Sequence, residues 1–141
     1  MTGRKYTSEV VRRAAELAKV AHAGQYRRDE ATPYIRHPKA VASRVAGDES
    51  AEAAAWLHDV LEDTHFTSKD LRKAGIPEEI VACVILLTKK EGATYEHYLS
   101  AIKKNPLAKK VKVADMLSNL ADRPSERQIV KYAKGLLMLL S

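Results

Sequence analysis

The segment AWLHDVLEDT, residues 55–64, places one imidazole and three carboxylates, His58, Asp59, Glu62 and Asp63, in an otherwise apolar helical pattern. On a continuous helix His58 and Glu62 fall one turn apart, as do Asp59 and Asp63, so the two pairs occupy adjoining stripes of one face. Negative charges this close disfavour one another unless water, a basic substrate or a cation offsets them, and a divalent metal does so most strongly. Further ligands must come from elsewhere in the chain. Asp115 interrupts the apolar residues of KVKVADMLSNL, with Asn119 one turn later on the same face, and His37 precedes a proline at a loop-to-helix junction. His37, His58, Asp59 and Asp115 together supply two imidazoles and two carboxylates. That set suits Mn²⁺, Fe²⁺ or Zn²⁺ and leaves positions for water and substrate.

Helices must hold these groups. Val10, Val11, Ala14, Leu17, Ala18 and Ala21 recur at helical spacing after a Thr7 cap, predicting a first helix to about His22 that Gly24 ends. GQYRRDEATPYIRHP reads as an ordered loop entering a second helix with Pro38 in its first turn, broken at Gly47–Asp48. Ser50 is the expected cap of a third helix carrying AAAWLHDVLED. Thr67 with Asp70 predicts a capping box for a short helix ended at Gly75, and Pro77 opens IVACVILL. Thr94 caps a predicted helix over 95–104, Asn105–Pro106 turns into LAKKVKVADMLSNLA, and a last helix covers about 125–140. No alternating strand pattern, repeat or low-complexity run occurs, so the reading is all-α, with one domain over 1–141.

A chain of 141 residues can bury a core without disulfides. Its one cysteine, Cys83, lies in an apolar run and reads as core, as does Trp56, which fits a reducing compartment. No signal-type segment and no apolar run of about 18 residues is present, so a cytoplasmic protein without a membrane span is expected. The net charge of +6 favours anionic partners. Basic residues come as short pairs among acids, with no basic tail or aromatic RNA-binding motif, which argues against dedicated nucleic-acid binding. Tyr95 and Tyr98 have the spacing of one packed face, His65 and His97 read as surface imidazoles, and His22 is a candidate to pack beneath the site.

Three stretches, AHAGQYRRDEATPYIRHPKAVA, AAAWLHDVLEDT and VKVADMLSNL, occur in the order found in HD-domain phosphohydrolases. The chain resembles most closely the small alarmone hydrolases and the hydrolase half of the RelA/SpoT homologues. The resemblance implies an HD-type helical bundle and metal ligation by His37, His58, Asp59 and Asp115, with one Mn²⁺ per chain as the expected ion. It also implies a catalytic pair, Glu62 and Asp63, and substrate contacts from Arg27 and Arg28 to phosphate or base, Asn119 to ribose and Tyr132 to the nucleoside. The segment between Leu87 and Ala108, which helps form the pocket in relatives, departs from the family pattern. The three motifs belong to the hydrolase half alone, so bifunctional synthesis is not expected of these residues.

The function expected from this resemblance is metal-dependent hydrolysis of a phosphorylated nucleotide, most specifically removal of the 3′-pyrophosphate of (p)ppGpp. Two other readings keep the pocket. One changes the substrate to another nucleotide phosphoester, a nucleoside monophosphate or NADPH. The other is a sensing module that binds without turnover, a role with no need for Glu62 and Asp63.

Overall fold

The structure, a computed structural model, describes residues 8–141. Among the described residues the chain is an all-α bundle, and its only β pairing is an isolated bridge between Tyr26 and Pro33. The helices are α1 (Glu9–Ala21), α2 (Arg36–Arg44), α3 (Glu49–Leu57), α4 (Val60–Asp63), α5 (Ser68–Lys73), α6 (Glu78–Leu87), α7 (Tyr95–Lys103), α8 (Pro106–Leu120) and α9 (Glu126–Leu140). None of the described helices is long and apolar enough to cross a membrane.

Helix α3 is the hub. It packs against α1, α2, α6 and α8, and its residues Ala51 to Leu57 are all buried. The small side chains of Ala51, Ala53, Ala54 and Ala55 let four neighbours approach closely around one short segment. Helix α8 packs in turn on α2, α3, α6, α7 and α9. Gly135 of α9 lies so near Met116 that a Cβ there would stand 2.7 Å from the methionine methyl, so a glycine sets how closely α9 sits on α8. Trp56 and Cys83 are core residues, as expected.

Most helix starts are where capping chemistry puts them. Thr67 and Asp70 form a reciprocal capping box, Thr94 caps α7, Asn105 caps α8 ahead of Pro106, and Ser125 with Gln128 forms a second box. Two caps differ from the sequence reading. Ser8 caps α1 by accepting from the Val11 amide at 3.2 Å, while Thr7 lies outside the described residues. Asp48, not Ser50, caps α3, accepting from the Ala51 amide at 3.1 Å. Ser50 instead donates to Glu79 at the start of α6 (3.1 Å). The carboxylate is the better acceptor for an amide at a helix N-terminus, where the dipole favours negative charge.

Candidate active site

The predicted third helix is not continuous through 55–63. It ends at Leu57, His58 and Asp59 form a turn, and α4 resumes at Val60. The His58 ring causes the break. Its Nδ1–H donates to the Ala55 carbonyl at 2.6 Å, taking the acceptor that a continuing helix would offer to the Asp59 amide. His58 and Asp59 therefore sit at a corner between two helical pieces rather than on a straight face.

That hydrogen bond also fixes the tautomer. With Nδ1 donating there, the His58 Nε2 is directed inward, 3.0 Å from Asp59 Oδ2 and 3.4 Å from Asp115 Oδ1. Nε2 is nevertheless buried without a hydrogen-bond partner. His37 brings its Nε2 to 2.8 Å from Asp115 Oδ1 and 3.9 Å from Asp59 Oδ2. One donor atom each from His37, His58 and Asp115 fall within 4.8 Å of one another, and all three residues are buried. Asp59 flanks this group. An orphaned imidazole nitrogen, oriented by a carbonyl on its other nitrogen and facing two carboxylates, suits a divalent cation. The protein's own protons respond to the concentrated charge. Burial opposes charging of His58, but the Asp59 and Asp115 carboxylates outweigh it and raise the imidazole well above its ordinary range. Burial likewise opposes ionisation of Asp115, and the charges of Lys112 and His58 hold it well below the carboxylate norm.

A cavity of about 730 Å³ opens over this group. Its walls include His37, Asp59 and Asp115, the acids Glu62 and Asp63, and the predicted substrate contacts Arg27, Arg28, Asn119 and Tyr132. The sequence-predicted positions thus converge on one site, except that His58 lies behind the wall. Arg27 is held by Asp122 at 3.2 Å and lies over the Tyr34 ring, and Asn119 donates to Asp115 Oδ1 at 3.2 Å. The segment between Leu87 and Ala108 provides no wall. Its contribution is the Lys89 amide, which donates to Glu62 Oε1 at 2.9 Å and orients that carboxylate. Tyr98 is anchored away from the cavity by donating to the Leu87 carbonyl, which agrees with the packing expectation.

Asp63 stands apart from the other acids. Partial burial and the neighbouring Asp59 and Glu62 charges push its carboxyl up to about 6. A carboxyl raised in the folded state stabilises the protein below its unfolded value and loses that contribution as pH rises through the folded value. Metal-free Asp63→Asn is therefore expected to withstand more urea than metal-free wild type at pH 8, with the gap closing toward pH 4. Equal urea midpoints at both pH values would remove the charge conflict assigned to Asp63.

Three participants, Tyr34, Gln25 and Lys112, escaped the sequence reading. Tyr34 donates to Asp59 Oδ2 at 2.5 Å and lies 3.4 Å from Asp63 Oδ2, joining the two halves of the acidic segment. His22 donates from Nδ1 to Gln25 Oε1 (2.8 Å), Gln25 donates to the Asp63 carbonyl (2.8 Å), and the His22 ring packs on Tyr34, so His22 does lie beneath the site. Lys112 is the third, donating to Asp115 Oδ2 at 3.0 Å and lying over the Tyr98 ring. The i, i+3 spacing of Lys112 and Asp115 was the available signal. Because Lys112 takes Oδ2, Asp115 is left to face the two imidazoles through Oδ1. Lys112→Met should destabilise the metal-free protein by about 3 kcal/mol, since it removes one partner of a buried ion pair. Saturating Mn²⁺ should recover most of that loss in urea titrations, and an equal loss with and without the ion would contradict this role.

The HD domain family pattern matches residues 14–117. The chain is 40% identical over 113 residues to a guanosine-3′,5′-bis(diphosphate) 3′-pyrophosphohydrolase of Haemophilus influenzae, covering 76% of this chain and 16% of that protein. It is 34% identical over 147 residues to a probable GTP pyrophosphokinase of Mycobacterium leprae, covering 94% of this chain and 18% of that protein. The chain thus spans less than a fifth of the length of these curated relatives. Among solved structures it is similar to one described as a metazoan ortholog of SpoT that hydrolyzes ppGpp. That likeness has a TM-score of 0.79 at 28% identity and covers 97% of this chain and 88% of the other.

Proposed function

The chain belongs to the HD domain family, and from that membership we propose that it is a divalent-metal-dependent hydrolase that removes the 3′-pyrophosphate of (p)ppGpp. The observation that carries the reading is the convergence of His37, His58, Asp59, Glu62, Asp63 and Asp115 with a set of basic side chains in and around one cavity. In this proposal His37, His58, Asp59 and Asp115 hold the cation, with Mn²⁺ as the ion, one per chain, in a single cytoplasmic domain. The names of the H. influenzae relative and of the SpoT ortholog support the substrate.

A cation held by these donors supplies Lewis acidity, acidifying water and offsetting phosphoryl charge. The chain's own residues do the rest. Glu62, oriented by the Lys89 amide, and Asp63, oriented by Tyr34 and by the Gln25 contact to its carbonyl, align a water with the 3′-linked phosphorus. Attack forms a water oxygen–phosphorus bond and breaks the bond from phosphorus to O3′, so one proton leaves the water and one must reach O3′. Asp63, a carboxylate at the cavity wall within reach of that water, is suited to take the proton and pass one on. Arg27 and Arg28 offset phosphate charge, Asn119 keeps its amide carbonyl for a ribose hydroxyl, and Tyr132 takes the nucleoside.

The substrate assignment is tested by incubating purified protein and Mn²⁺ with ppGpp, nucleoside monophosphates and NADPH, and resolving the products by chromatography. Turnover of ppGpp above the others is the expected outcome. Binding of ppGpp with no turnover of any of them would favour the sensing module instead.

A further inference from the structure

A second cleft of about 360 Å³ runs between α2 and the C-terminal end of α8. We propose that it is an anion subsite that takes the 5′-phosphates of the nucleotide whose 3′ side lies at the metal cluster. This deepens the nucleotide-hydrolase reading and rests on it.

The cleft has small residues in its wall and cationic ones around them. Ala40 and Ala121 line it together with four arginines, Arg27, Arg36, Arg44 and Arg123. Arg36 and Arg44 lie two helical turns apart with Ala40 midway, so they bracket a shallow stretch of α2 that a bulky anion can approach. Only two carboxylates share the cleft, and both are committed. Asp29 accepts from the Ala31 and Thr32 amides and the Thr32 hydroxyl of its own loop, and Asp122 faces Arg27 at 3.2 Å and Arg123 at 3.8 Å. Among the described residues, Arg36 and Arg44 make no ion pair. Arg44 is nonetheless held in place, because its Nε donates to Ser118 Oγ at 2.8 Å and leaves its outer nitrogens for a ligand. A guanidinium fork that is charged, oriented and without a carboxylate partner, as that of Arg44 is, matches phosphate oxygens, and Arg36 adds a second unpaired charge.

Two further features tie the cleft to the reacting site. Arg27, His37, Asp122 and Arg123 line both cavities, so one ligand can reach from the metal cluster into the cleft. Arg123 adopts φ +47°, a conformation disfavoured for any residue with a side chain and more so before Pro124, and it stands at the junction of the two cavities. The chemistry of the walls also sets which end of a nucleotide goes where. Tyr26, Tyr34 and Tyr132, the side chains able to face a base, line the main cavity, and no aromatic side chain except the His37 imidazole lines the cleft.

The test compares wild type with Arg36→Ala/Arg44→Ala, two exposed positions whose loss leaves the core intact. The substrates are ppGpp and guanosine 3′-diphosphate, which lacks 5′-phosphates, each with Mn²⁺. In the double variant KM for ppGpp is expected to rise roughly tenfold or more, the scale of one lost charge-assisted contact, with kcat nearly unchanged. KM for guanosine 3′-diphosphate should stay the same, and Arg44→Lys should lie between. A KM rise equal for both substrates, or none for ppGpp, overturns the subsite. Calorimetric binding of GDP against guanosine provides a readout that needs no turnover. Wild type should prefer GDP and the double variant should lose that preference. Collapse of the preference in a protein that cleaves no 3′-pyrophosphate would uphold the subsite while overturning the reading of the reaction, and persistence of the preference would overturn the subsite.

Discussion

Asp115→Ala and His37→Ala are each expected to give a helical protein that has lost its divalent cation and, with it, hydrolysis. Asp115 is where the site's contacts meet. Its Oδ1 faces His37 at 2.8 Å, His58 at 3.4 Å and Asn119 at 3.2 Å, and its Oδ2 receives Lys112 at 3.0 Å. Removing that carboxylate takes away a ligand and the acceptor that orients the others, so metal affinity should fall by more than the roughly 10- to 100-fold that loss of an outer-shell partner costs. Asp115→Asn keeps the shape while removing the charge, and it should fail in the same way. Elemental analysis of the purified proteins, with circular dichroism as the check on folding, reads the result. Wild type hydrolysing nucleotide at full rate after exhaustive chelation would sink the metal assignment.

Glu62→Gln and Asp63→Asn should behave oppositely toward the metal, retaining the cation and nucleotide affinity while losing on the order of 10²-fold or more in turnover, the scale of general acid–base groups. Both side chains are exposed at the wall of the cavity rather than members of the buried cluster. The amide replacements preserve local geometry, since a glutamine oxygen still accepts from the Lys89 amide. What they remove is the capacity to exchange a proton. Loss of metal in either variant would move that residue among the ligands, and unchanged turnover in both would return the pair to a solvated helix end.

The features read correctly from the sequence share a cause, which is that their determinants are local. Asn105 before Pro106, the Thr67–Asp70 box and Ser125 before a helical apolar pattern are decided within a few residues. The break at His58–Asp59 was hidden because AWLHDVLED contains no glycine or proline and its apolar spacing runs on. The side chain that interrupts the helix does so through one hydrogen bond to a carbonyl three residues back. Ser50 reads as the cap from sequence because it and Asp48 both stand next to the helix start, and only the fold shows that Glu79 claims the serine. The partners of Tyr34 and Arg27 lie 25 and 95 positions away, beyond the reach of any spacing rule. The residue types of the main site could be collected from three motifs, whereas the cleft beside it, formed where α2 meets the end of α8, emerges only from packing.

The central claim is that a water attacks the 3′-linked phosphorus of (p)ppGpp in this cavity, and the products of that reaction test it most directly. Incubation of ppGpp with purified protein and Mn²⁺, followed by chromatography of the nucleotide and a separate assay of the inorganic product, should give GDP and intact pyrophosphate in equal amounts. Release of orthophosphate one unit at a time, or ppGpp left untouched while another nucleotide is consumed, would contradict it.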